Sequence, residues 1–173
     1  MTEPLRINKD LDKILLRIRD RLIGDDRIDT ATDDSVYVTL LPNIIPPSPA
    51  DIWFAVAPSL SGRFDDRSFD GGGLEMVEAD TSVIVKIFTQ FQVDEYGRSL
   101  ELLTNPERGL LLEAKKVLRS LSELELLDEE GNRILNQPMI PSDYGIEFLA
   151  EGRVGAFVLE FAILHNWDVA NDF

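Results

Sequence analysis

The run 81–93 (TSVIVKIFTQFQV) constrains the fold more than any other stretch of the chain. It is dense in β-branched and aromatic residues and reads as one long strand. Val83, Val85, Ile87, Thr89 and Phe91 share one face of that strand, and Ile84, Lys86, Phe88, Gln90 and Gln92 share the other. Further strands are readable around it. Val36, Val38 and Leu40 alternate with Tyr37 and Thr39 until Pro42 stops the pattern. Ile52–Ala57 (IWFAVA) is a continuous apolar run bounded by prolines and reads as a buried strand. Near the C-terminus, strands at about Ile146–Ala150 and Val154–Trp167 are joined by Glu151-Gly152, a hairpin-like dipeptide.

Two segments carry the other period. Leu11, Ile14, Leu15, Ile18 and Leu22 form one helical stripe, with Asn8 or Asp10 available as a cap and Gly24 as its end. Leu110, Leu111, Ala114, Val117, Leu118 and Leu121 form a second stripe, for which Thr104 or Asn105 is the expected cap and Pro106 the first position. Between these elements the chain is polar or proline-rich. Residues 25–34 read as a loop, Pro42, Pro46, Pro47 and Pro49 as a stiff connector, Ser59–Gly73 as a glycine-containing loop, and Asp128–Asn132 as a turn. This order predicts a single α+β domain over 1–173. A mixed, mainly antiparallel sheet packs against two amphipathic helices, with 42–73 as a loop-rich insertion.

With 173 residues, 44% of them apolar, the chain is long enough to bury a core. Its 17 Lys and Arg face 32 Asp and Glu, a net charge of −15. A surface of that sign repels phosphate, so no nucleic-acid binding and no anionic membrane partner is expected. The absence of cysteine excludes disulfides, thiolate metal sites and cysteine nucleophiles. No stretch approaches the roughly 20 apolar residues a membrane helix needs, and charges interrupt the N-terminal segment as no secretory signal would tolerate. The sequence reads as soluble.

Catalytic chemistry is hard to assemble from these residues. The single histidine, His165, lies late in an apolar strand and reads as a hydrogen-bonded strand-end residue rather than a general base. Acidic pairs at Asp25/Asp26, Asp33/Asp34, Asp65/Asp66 with Asp70, and Asp128/Glu129/Glu130 lack the spacing of a calcium loop. Gly71-Gly72-Gly73 lacks the spaced glycines, the lysine and the following helix of a phosphate loop. No catalytic residue, metal or cofactor is expected.

What remains is charge polarity and exposed apolar groups. Residues 6–24 hold six basic groups against three acidic ones, whereas 121–173 hold two against eleven. Solvated surface is one reading. Complementarity between copies is the other, with Lys13, Arg17 and Arg21 of one subunit meeting Asp128, Glu129 and Glu130 of the next. In the segment SGRFDDRSFDGGG, Phe64 and Phe69 stand among Arg63, Asp65, Asp66 and Arg67; they suit an interface anchor, or a lid folded back on the core.

The order of elements resembles the tail-terminator and minor tail protein family of tailed bacteriophages. It has an N-terminal helix, a proline-terminated strand, a loop-rich insertion, a long β segment (VIVKIFTQF) running into a helix (NPERGLLLEAKKVLRSL), and a closing strand pair ending in FVLEFAILHNW. The resemblance covers most of the chain and rests on topology, without a diagnostic motif. The segment 42–73 is bulkier than that pattern. The resemblance implies a non-enzymatic virion component, assembled in the host cytoplasm, that forms a ring of its own copies, such as a hexamer. Such a ring caps the tail tube and docks it to the head connector. It also implies a conduit through which DNA slides past a surface of like sign. A second class fits the acidity equally: a cytoplasmic adaptor or immunity-type protein holding one basic protein partner.

Overall fold

Two periodicities in one chain call for two layers, and the chain builds them. The computed structural model describes residues 7–40, 50–64, 76–90, 105–107, 109–122, 124–127, 131–135, 137–149 and 154–168, by backbone alone at 7–10, 60–61, 63–64, 76–79 and 165–168. In order, the elements are α1 (Ile7–Ile23), β1 (Val36–Val38), β2 (Ile52–Phe64), β3 (Met76–Gln90), α2 (Leu110–Leu121), β4 (Ile140–Leu149) and β5 (Val154–Asp168). The strands form one sheet in the order β1-β2-β3-β5-β4, parallel between β1 and β2 and antiparallel elsewhere. The fold is therefore α+β, with a mixed, mainly antiparallel sheet and two helices, as the sequence predicts.

Both helices lie on one face. The stripe Ile14, Leu15, Ile18 and Leu22 of α1 and Leu110, Ala114, Val117 and Leu121 of α2 are buried. They meet Phe54 and Val56 of β2, Val83, Val85 and Ile87 of β3, and Leu159, Phe161 and Ile163 of β5 in one cluster. α1 packs over β1 and β2, and α2 over β3 and β5. The opposite face carries a second, smaller cluster built on Trp53, Ala55, Phe88, Val154 and Ala156. Trp53 and Phe88 are paired in register and stack with ring centroids 5.5 Å apart. On that face the buried Lys86 Nζ reaches Glu147 Oε2 at 2.6 Å, tying β3 to β4 across β5.

Three boundaries differ from those the sequence suggests, each for a local reason. α2 begins at Leu110, with Gly109 at its N-cap, rather than at Pro106. Asn105 caps a preceding turn instead: its Oδ1 accepts the Glu107 N–H at 2.8 Å, an Asx-type closure. β2 runs on to Phe64, so Ser59–Phe64 is strand and not loop. Its outer half pairs with β3 at Gly62–Thr81, Arg63–Asp80 and Phe64–Ala79, where no apolar alternation marks it. Gly62 eases the close approach there, because a Cβ would sit 3.0 Å from the Asp80 carbonyl oxygen and the neighbouring strand would have to give. β4 starts at Ile140, through Pro141 and Gly145, because an edge strand tolerates a residue that cannot donate to the ladder.

Candidate assembly interface

The loop after α1 is tied to both helices by ion pairs. Asp25, 7% exposed, accepts from Arg27 through Nε at 2.7 Å and through Nη2 at its other oxygen. These bonds to Arg27 hold the Asp25 carboxyl well below the ordinary carboxylate range, against the opposing effect of its burial. Glu113 of α2, 1% exposed, accepts from Thr30 Oγ1 at 2.8 Å and from Lys116 Nζ at 2.7 Å, and Lys116 also reaches Asp29 at 3.1 Å.

Acid should expose the Asp25 contribution. Its folded-state value lies below that of an unfolded Asp, about 3.9. The stabilisation is therefore complete above that pH and is lost as pH falls toward the folded value. In urea titrations, Asp25→Asn is expected to be less stable by about 2 kcal/mol at pH 7. The gap to wild type should begin to narrow near pH 4 and go on narrowing at every lower pH at which the protein stays folded. A gap constant with pH would refute the assignment.

The two ends of the sheet differ. At the β1 end the outer edge is closed. Ser35 O and Thr39 N pair inward with β2, while Val36 N donates to Thr32 O at 3.0 Å and Val36 O accepts from Arg19 Nε at 3.3 Å. Arg19 also contacts Asp33 and Asp20. Little of so short a strand is left to template a further one.

At the other end β4 is the terminal strand, and no described residue pairs with its outer edge. Tyr144, Ile146 and Phe148 stand in register with Leu159, Phe157 and Gly155, which places them on the helix-bearing face. Neither helix packs extensively over β4. Consequently Tyr144 is 72% exposed, Phe148 64% and Ile146 43%. The Tyr144 ring lies flat against Phe157, centroids 6.0 Å apart, which holds it in the plane of the strip. A row of large apolar side chains beside an unpaired backbone edge is a surface built to be covered.

Of the residues expected to bind partners, Lys13 and Arg17 lie on α1, and Lys13 is exposed and forms no ion pair among the described residues. Arg21 is exposed but engaged within the subunit: its Nε donates to Ser120 O at 3.4 Å and its Nη2 lies 3.8 Å from Asp25. Arg63 and Phe64 end β2. Asp65, Asp66, Arg67 and Phe69 lie outside the described residues, as do Asp128, Glu129 and Glu130. His165 falls on β5, opposite Ala79. Among the described residues no three His, Asp or Glu side chains converge as metal ligands would. No helix there is long and apolar enough to cross a membrane. Sequence patterning began this strand only at about Ile146, because Pro141, Ser142, Asp143 and Gly145 carry no strand signal, and it did not single out the strip; the alternation Tyr144, Ile146, Phe148 was the signal that could have found it.

No family model matches the sequence, and no curated protein does. Among solved structures the chain is similar to one described as "Virion of native gene transfer agent (GTA) particle". The two share 12% identity, the match covers 86% of this chain and 91% of that one, and the TM-score is 0.55. At that identity the likeness is one of fold.

Proposed function

We propose that the chain is a structural component of a phage-like virion particle: a ring-forming tail terminator or head–tail joining protein that caps the tail tube and docks it to the head connector. The observation that carries this reading is the fold likeness to a chain of a gene transfer agent virion, which extends over nearly the whole of both chains. Two features add support. The ends of the sheet are unlike each other, one closed and one uncovered, which suits head-to-tail association of copies. The net charge of −15 suits a conduit along which DNA slides without adhering. The connection from β2 to β3, with Arg63, Phe64, Asp65, Asp66, Arg67 and Phe69, is the proposed contact with the tail tube.

Light scattering at low and high salt, together with mass spectrometry of particles purified from the source cells, tests the proposal. The expected result is a closed oligomer, free or formed on its partner, and the chain's presence in particles at a fixed stoichiometry. A protein that is monomeric at every concentration and absent from particles overturns it.

A further inference from the structure

We infer that the free chain pairs two by two through β4, about a two-fold axis at Ile146, so that two five-stranded sheets join into one. The inference goes beyond the particle reading and does not rest on it. A head-to-tail ring contains no two-fold contact, so the pair is a form of the chain outside such a ring.

The regular part of this edge is symmetric about one residue. A bulge between Pro141 and Asp143 interrupts the ladder at one end, and the strand stops at Leu149 at the other. The unbroken stretch is therefore Asp143–Leu149, and Ile146 is its centre. The exposed apolar strip has the same centre, because Tyr144 and Phe148 stand two residues to either side of Ile146 on one sheet face. Antiparallel pairing about Ile146 sets Ile146 against Ile146 and, on both sides of it, Tyr144 against Phe148, aromatic on aromatic. Both helix layers then fall on one side of the joined sheet, and the doubled strip lies between them, where neither helix packs extensively.

Neighbouring registers lose this match. A centre between two residues would set one sheet face against the other. A centre at Gly145 puts Phe148 opposite Ser142 in the bulge and Asp143 opposite Glu147; a centre at Glu147 carries Tyr144 past the end of the strand and sets Glu147 against itself. With Ile146 at the centre, the far face pairs Glu147 with Gly145 and Asp143 with Leu149, so no two carboxylates stand directly opposite. Gly145 suits that place. Its φ is not positive, and a Cβ on it would meet nothing within 4 Å among the described residues, so the subunit itself does not call for glycine, whereas a strand laid alongside would. Growth stops at two copies, because the short β1 at the other end of the sheet is closed by Thr32 and Arg19.

Light scattering should show the mass rising from one chain to two between micromolar and hundred-micromolar protein. Added salt should favour the pair, since each copy carries a net charge of −15. The absence of cysteine from the native chain makes the axis itself testable. Under an added oxidant, Ile146→Cys should form a disulfide-linked dimer several-fold faster than Tyr144→Cys or Phe148→Cys alone, while a mixture of those two variants should link as unlike pairs. Ile146 is exposed, so Ile146→Lys and Ile146→Glu should each keep the wild-type urea midpoint at concentrations where wild type is monomeric. Each should weaken pairing by roughly tenfold or more, and mixing the two should restore it. A chain that is monomeric at every concentration overturns the inference, as do Tyr144→Cys linking chiefly to itself and charge variants that fail to pair when mixed. Oligomers larger than two without the 146–146 disulfide overturn it and leave the particle reading standing. A dimer with that disulfide, from a chain absent from particles, upholds it while the particle reading falls.

Discussion

Phe54→Ala is expected to destabilise the fold by about 3–5 kcal/mol, read as a fall in the urea midpoint with an unchanged slope. Phe54 is wholly buried. It sits on β2 in register with Val36 on one side and Ile87 on the other, on the face over which α1 packs. Truncation removes the transfer free energy of a phenyl ring and leaves a cavity walled by strands on both sides, whose backbone hydrogen bonds stop them collapsing into it. Ile146 provides the contrast, since it lies on the same sheet face but is 43% exposed. Ile146→Ala should cost the monomer about 1 kcal/mol or less. Comparable losses at both positions would show that the strip on β4 is core, and would remove the structural basis for treating it as an interface.

The second large effect concerns the buried carboxylate of α2. Lys116→Ala is expected to cost about 2–3 kcal/mol, toward the lower end for a broken buried pair because the ammonium is itself partly exposed. The loss comes less from the missing attraction than from Glu113, which stays buried with Thr30 as its remaining described partner. Replacing both residues, Glu113→Leu with Lys116→Leu, should return stability to within about 1 kcal/mol of wild type, since neither charge is then left to desolvate. A double-mutant cycle in urea checks this. Simple additivity of the two single losses would show that the pair is not coupled.

How far the sequence could be read depended on what each residue type was required to do. The helices were legible because a stripe such as Ile14, Leu15, Ile18 and Leu22 has no purpose except burial on one side. The strands were legible where helices cover them, at Val83, Val85 and Ile87, because coverage imposes the alternation. Outside that cover the constraint lapses. The outer half of β2, with Ser59, Ser61 and Gly62, and the start of β4, with Pro141 and Gly145, hold together through ladder bonds that any backbone can make, so composition there carried no strand signal. The candidate interface suffered from the same ambiguity. The charge asymmetry along the chain was visible, yet which basic groups are engaged within the subunit depends on tertiary partners. Arg19 and Arg21 are held by Val36, Asp33, Ser120 and Asp25, and Lys13 forms no ion pair among the described residues.

The pairing of β3 with β5 runs without a break from Met76–Asp168 to Gln90–Val154, a ribbon of about 50 Å over 15 residues. The 12-residue α2 that packs on it spans only about 18 Å. The core reaches Ile163, in register with Thr81, and Asp80 next to it is exposed, so a ribbon of this length outreaches α2 like a boom. Such a boom has a unit of length. Because side chains alternate faces, it can be shortened or extended only in matched pairs of residues, about 7 Å at a time; an odd step would turn every later side chain to the wrong face. Related chains can therefore differ in reach by discrete increments while keeping the same helical body, and the distance to whatever the end touches becomes a property of strand length alone.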